Sequence, residues 1–320
     1  MQDRRWLLQG LAASIGTTGL IGCSGSGRKE TRSEVGQRQR TAPPAPAPAP
    51  TKPDRKQWGR FQTGLNDWSF NHRGEGRRSA VILPQAYAGT AMPLLIGLHG
   101  SGGSGATMFR QNLWGRTCDD AGYVGFFPNS LPNNGTERIE EEVDFLAAAI
   151  DQIAEEVSVD ASRVYVTGFS AGARKCYRMA ALHSDKVAAI AAHSGIMGFR
   201  TTKGPDRWDP QITAARSVSV LHIHGSKDTS VPLSAPRAQD PAKRVTTLEG
   251  LEIWAEHDGC TKQDPGSAPS VCPSTVEVHE WNAPSGYRVL GLLDSEMGHE
   301  WGADWANAAI VDFFSTAPAR

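Results

Sequence analysis

The residues best suited to chemistry lie in Gly168-Phe169-Ser170-Ala171-Gly172, where a serine sits among small neighbours. The run before it, Arg163–Thr167, is short and β-branched, and the run from Ala171 to about His183 reads as a helix. A serine at such a strand-to-helix turn stands above its sheet with the hydroxyl exposed. The helix start behind it offers N–H groups to developing negative charge. A serine hydroxyl needs a base to take its proton, and the base needs an oriented tautomer. Asp228, in His224-Gly225-Ser226-Lys227-Asp228 just past the apolar run Val218–Ile223, is the candidate acid. His299, in Met297-Gly298-His299 beyond Val289–Leu293, is the candidate base. The chemistry this implies is acyl transfer.

A tetrahedral intermediate also needs donors for its oxyanion. His99-Gly100-Ser101-Gly102-Gly103-Ser104 follows the apolar run Pro93–Leu98 and is a small-residue turn that a ligand can approach closely. The Ala171 N–H is one expected donor, with the Ser101 N–H as the other; Gly102 is the alternative to Ser101. Among rival acids, Glu249, Asp240, Asp258 and Asp264 are less well placed beyond a strand, and Asp294 is too near His299 in sequence. His193, His224 and Trp301 are candidate pocket residues, while His257 and His279 read as surface or structural. The turn lacks the Gly-Lys-Ser/Thr ending of a phosphate loop and the dinucleotide glycine pattern. No Cys/His spacing suits zinc, so neither cofactor nor metal is expected.

These residues need a scaffold that brings loop ends together. Ser79–Leu83, Pro93–Leu98, Tyr123–Phe127, Arg163–Thr167, Val187–Ala192, Val218–Ile223 and Val289–Leu293 read as strands. Helical spacing over Arg138–Val157, with Val143, Leu146, Ile150 and Ile153 on one side, and over Trp301–Phe314 supplies covering helices. The alternation predicts an α/β fold with a doubly wound, mostly parallel sheet. Reactive groups of such a sheet gather beyond the strand C-termini.

The N-terminus reads differently. Arg4 and Arg5, a modest apolar run from Trp6, and Leu20-Ile21-Gly22-Cys23 make residues 1–22 an export signal. Residues 23–57, with the alternating Ala-Pro stretch to Pro50, form a disordered Pro/Ala-rich tether. Residues 58–320 then form one catalytic domain. Ser24–Arg60 carries nine Lys/Arg against three Asp/Glu, whereas Phe61–Arg320 carries 22 against 30. The folded part is mildly acidic, which argues against a nucleic-acid partner. Cys260 and Cys272, flanking a loop of eleven residues, are expected to pair in an oxidising compartment. Cys118 and Cys176 read as buried thiols.

Pro93–Ser104, Val159–Gly172, His224–Asp228 and Gly298-His299-Glu300-Trp301 together resemble the secreted polyhydroxybutyrate-depolymerase and feruloyl-esterase-like branch of the α/β-hydrolases. The resemblance spans roughly residues 75–315. It implies an α/β-hydrolase sheet of about eight or nine strands, with Ser170 as nucleophile, Asp228 as acid and His299 as base. Ala171-Gly172-Ala173 and Met297-Gly298 depart from the commoner glycine-rich forms, which loosens any transfer of substrate. The N-terminal segment resembles a bacterial lipoprotein signal with Cys23 lipidated, alongside a twin-arginine-like start.

The expected partner is an ester substrate, small or polymeric, such as hydroxybutyrate oligomers or hydroxycinnamate esters, met by a monomer tethered to the cell envelope or released. Acetylated-glycan esterase, peptidase and thioesterase are the neighbouring alternatives. An inactive envelope-tethered binding module is the alternative of another class. Intact-mass measurement of envelope-extracted protein is expected to find lipid mass on a new N-terminus at Cys23; absence of both would contradict that processing.

Overall fold

The computed structural model describes residues 57–58, 60–131, 138–197, 214–234 and 246–320, all within the compact unit Arg55–Arg320. The export segment, Cys23, the tether up to residue 56 and Asp240 lie outside the described residues. Two short pieces, β1 (Gln57–Trp58) and β2 (Phe61–Gln62), pair with each other. The chain continues through β3 (Gly64–His72), β4 (Glu75–Leu83), β5 (Met92–Leu98), α1 (Gly105–Arg110), α2 (Trp114–Ala121) and β6 (Val124–Pro128). Then come α3 (Ile139–Glu156), β7 (Val159–Phe169), α4 (Ala171–Leu182), β8 (Ala189–His193) and β9 (Ser219–Gly225). The C-terminal part holds α5 (Thr247–His257), β10 (Thr261–Gln263), β11 (Val276–Asn282), β12 (Arg288–Asp294) and α6 (Ala303–Thr316).

One sheet has the order β10-β11-β12-β9-β8-β7-β5-β6-β4-β3. From β12 to β6 every neighbouring pair is parallel, and the pairs towards both edges are antiparallel. The central strands are apolar because helices cover both of their faces: β6, β8 and β9 are buried at every position. Leu94, Ile96, Val164, Val166, Ile190 and Val220 pack towards the side of α3, α4 and α5. Leu95, Tyr165, Leu221 and Leu292 pack towards α1, α2 and α6.

The sheet has ten strands rather than eight or nine. Beyond the strands read from the sequence stand β3 at one edge and, outside β12 at the other, β11, which interleaves Glu277, His279 and Glu280 with its apolar residues, and β10, which is three residues long. Such edges lack the continuous apolar run that reveals a central strand.

The expected Cys260–Cys272 disulfide is not formed; both thiols are free. The two cysteines flank a loop that passes from one side of the sheet to the other. Cys260 packs with the cluster beside α3–α5 and its Sγ faces the Tyr287 carbonyl, whereas Cys272 packs with the cluster beside α1, α2 and α6. Burial raises each thiol to about 11.

A buried ion cluster ties β4, α3 and α4 together. Glu142 accepts from Arg77 at 2.7 Å, from Lys175 at 3.1 Å and from the Leu131 N–H at 3.1 Å. Side-chain exposure of the three charged groups is 5% or less, so the carboxylate is what keeps two cations tolerable in the interior. Glu142→Ala is therefore expected to destabilise the fold by about 3–5 kcal/mol. Urea unfolding checks this, and a loss below about 1 kcal/mol would contradict it.

Candidate active site

The nucleophile candidate sits where β7 turns into α4. Ser170 has φ 54° and ψ −110°, a conformation rare for an L residue and held here by its surroundings. Its N–H donates to the His193 carbonyl at 2.8 Å, which fixes the turn to the end of β8. The start of α4 also presses on the end of β5. A Cβ built on Gly172 would lie 2.2 Å from the Leu98 carbonyl oxygen, so only glycine permits this approach.

Two further loops complete a line of hydrogen bonds. Ser170 Oγ donates to His299 Nε2 at 3.1 Å, and His299 Nδ1 donates to Asp228 Oδ2 at 2.6 Å. Asp228 Oδ1 accepts from the Ser230 and Val231 N–H groups at 2.8 and 2.7 Å, so the turn after β9 aims the carboxylate. The loop bearing Asp228 and the loop bearing His299 touch directly: a Cβ on Gly225 would lie 2.0 Å from the Met297 carbonyl oxygen. The rival acids serve locally. Asp294 accepts from the Glu296 N–H, Glu249 completes the capping box of α5, and Asp258 holds the Trp254 indole and the Val218 N–H.

On the other side of Ser170, Gly100–Gly103 closes a turn through the Gly103 N–H to the Gly100 carbonyl at 3.1 Å, with Gly102 at φ 73°. This turn is anchored from behind. His99 Nδ1 donates to the Gly100 carbonyl at 2.8 Å, which leaves Nε2 to accept from the Ser130 hydroxyl at 3.1 Å. Lys175 donates to that same hydroxyl and so links the turn to the Glu142 cluster. Burial lowers the affinity of His99 for a proton, consistent with this neutral tautomer.

A cleft of about 430 Å³ opens over these groups, lined by Ser101, Met108, Asn112, Phe169, Ser170, His299 and Trp301 among others. Of the three expected pocket residues, Trp301 lines it. His193 and His224 do not: both are wholly buried. His193 stacks beneath Trp301 with centroids 4.6 Å apart, and His224 stands behind Asp228. Trp301 is further held by its indole N–H to Asn307 at 2.9 Å. Thr107 and Met108 of α1, and Gln111 and Asn112 just beyond it, also line the cleft and carry no sequence signal because α1 is too short to show a period. A larger hollow of about 610 Å³ between α2 and α6 contains none of Ser170, Asp228 and His299.

Comparison with known proteins agrees with this architecture. The family model described as phospholipase/carboxylesterase matches residues 123–252. The structure of an acetyl xylan esterase from Aspergillus awamori superposes with a TM-score of 0.63 at 16% identity, covering 79% of this chain and 100% of that one. The fold is that of the α/β-hydrolases. Sequence relatives include the bifunctional acetylxylan esterase/xylanase XynS20E of Neocallimastix patriciarum, 29% identical over 190 residues, 55% of this chain. The chain spans only 26% of that relative's length. Another is the Aspergillus niger protein named "Probable feruloyl esterase C", 28% identical over 211 residues, which are 60% of this chain and 74% of the relative.

This α/β-hydrolase fold buries an unusual group of histidines beneath its cleft. Burial holds His193 at about 3, His222 well below the usual imidazole range, and His224 below it as well. Each stays neutral when folded but binds a proton when unfolded below about pH 6.5. The stability His193 contributes is thus complete above pH 6.5 and is lost as pH falls towards about 3, by up to about 1.4 kcal/mol per pH unit, and His222 and His224 act in the same direction. Urea midpoints are expected to fall between pH 7.5 and pH 5, and less steeply in His193→Phe. Equal slopes in the two proteins would contradict this.

Proposed function

We propose that the chain is a serine-dependent carboxylic ester hydrolase. The observation that carries this reading is the unbroken line from Ser170 Oγ through His299 to Asp228, opening on a cleft. In the proposed cycle His299 Nε2 takes the Ser170 proton as Oγ attacks the ester carbonyl. Asp228 stabilises the resulting imidazolium. The Ala171 N–H and an N–H of the Ser101 turn bind the oxyanion, each worth about 3 kcal/mol in the transition state. Collapse expels the alcohol, which receives its proton from His299. Water then enters and attacks the acyl-enzyme carbonyl as it gives a proton to the same histidine, which returns that proton to Ser170 Oγ as the acid leaves.

Relatives named for acetylxylan and feruloyl esters favour acetyl or hydroxycinnamoyl groups carried on a glycan, ahead of hydroxybutyrate oligomers. A cleft walled by Phe169 and Trp301, with Ser101 and Asn112 at its lining, suits a small or planar acyl group beside a hydroxylated alcohol. The reading includes residues 58–320 as the catalytic domain, residues 23–57 as a tether, and residues 1–22 as an export signal ending before a lipidated Cys23. The enzyme then works at the cell envelope or outside it.

A short-chain nitrophenyl ester tests the chemistry. Ser170→Ala is expected to lower its turnover by about 10⁴-fold or more, and persistence of the wild-type rate would refute the nucleophile assignment. A panel of acetylated xylan, methyl ferulate and 3-hydroxybutyrate oligomers tests the substrate class. Turnover is expected on the first two, and activity confined to the oligomers would overturn the preference. Absence of turnover on every ester would favour the binding-module alternative.

A further inference from the structure

Behind the Asp228 carboxylate, three side chains that the reaction cycle does not touch form a continuous buried row. The Tyr177 hydroxyl of α4 lies 2.7 Å from His222 Nδ1. His222 Nε2 lies 2.9 Å from His224 Nδ1. His224 Nε2 lies 2.8 Å from the Val231 carbonyl oxygen and 3.3 Å from Asp228 Oδ2. His222 and His224 share one face of β9 because side chains alternate along a strand. Tyr177 is 2% exposed and both histidines 0%, so no solvent contact replaces any of these bonds.

The direction of every bond follows from its end. His224 Nε2 faces two acceptors, the Val231 carbonyl and the Asp228 carboxylate, so it must carry the hydrogen. Burial keeps this ring neutral, which makes its Nδ1 an acceptor and requires His222 Nε2 to donate. His222 is neutral for the same reason, so its Nδ1 accepts and the Tyr177 hydroxyl donates. A reversed chain would leave a bare nitrogen lone pair against two oxygen acceptors inside the protein, at a cost comparable to an unmade buried hydrogen bond.

We propose that Tyr177, His222 and His224 are positioning residues that lock a single tautomer sequence and thereby deliver a fixed donor to Asp228 Oδ2, holding the acid in line with His299. The proposal rests on the Ser170, His299 and Asp228 reading given above. With this donor, Asp228 accepts from Ser230 N and Val231 N on one oxygen and from His299 and His224 on the other. No rotation of the carboxylate keeps all four, so the acid has one orientation. Loss of the Tyr177 hydroxyl frees His222 to invert, and inversion turns the His224 lone pair towards Asp228.

Tyr177→Phe in the full-length enzyme is expected to lower kcat on a nitrophenyl ester by about tenfold with KM within about twofold, as for a displaced acid rather than a lost binding contact. Nitrogen-15 spectra of labelled histidine should show His222 and His224 as Nε2–H tautomers in the wild type and a changed tautomer in Tyr177→Phe. A second pair covers poor folding of that variant: His224→Gln, whose amide can donate towards Asp228, should retain more kcat than His224→Leu at equal folded content. Wild-type kcat in Tyr177→Phe, an Nδ1–H His224 in the native protein, or equal kcat in the two His224 variants would overturn the chain. Each of those results leaves the triad reading standing if Ser170→Ala is inactive, whereas an active Ser170→Ala removes the triad reading itself.

Discussion

Ser170 carries the chain from β7 into α4 with φ 54° and ψ −110°, a backbone state that costs roughly 1–3 kcal/mol and survives only where neighbours enforce it. The enforcement comes from three directions. The His193 carbonyl holds the Ser170 N–H, the end of β5 presses against Gly172, and the buried face of α4 packs on the sheet. Because the crossing is fixed, the hydroxyl, the helix start and the Gly100–Gly103 turn have fixed relative positions. The remaining parts of the site then need only reach this point.

Two buried polar systems converge on it from opposite sides of α4. Arg77, Glu142 and Lys175 support the Ser130–His99 pair under the glycine turn. Tyr177, His222 and His224 end on Asp228. Lys175 and Tyr177 are two residues apart on the same helix that begins at Ser170. One helix thus joins Ser170 to polar groups behind both the Gly100–Gly103 turn and Asp228. Buried networks of this kind cost desolvation, but when fully partnered they specify one geometry.

Much of this was legible in the sequence for a simple reason: Ser170, Asp228 and His299 each follow an apolar run, and all three runs are central strands of the sheet. The outer strands β3, β10 and β11 were not legible, since their sequences are polar or mix charge with apolar residues and offer no continuous apolar run. The cysteine pairing failed because spacing along a loop carries no information about which face of a sheet each end meets. His193 and His224 were drawn to the right neighbourhood but to the wrong layer, beneath the cleft rather than in it. The Tyr177–His222 contact joins residues 45 apart on different elements, and no local pattern announces it.

The proposed cycle requires Ser170 to be an activated nucleophile rather than a serine in a tight turn. Reaction of the folded protein with a serine-directed organophosphonate, followed by peptide mass mapping, tests it most directly. A single covalent adduct on Ser170 is expected, forming in the wild type and lost in His299→Ala. An adduct on another residue, or equal labelling of Ser170 without His299, would contradict it.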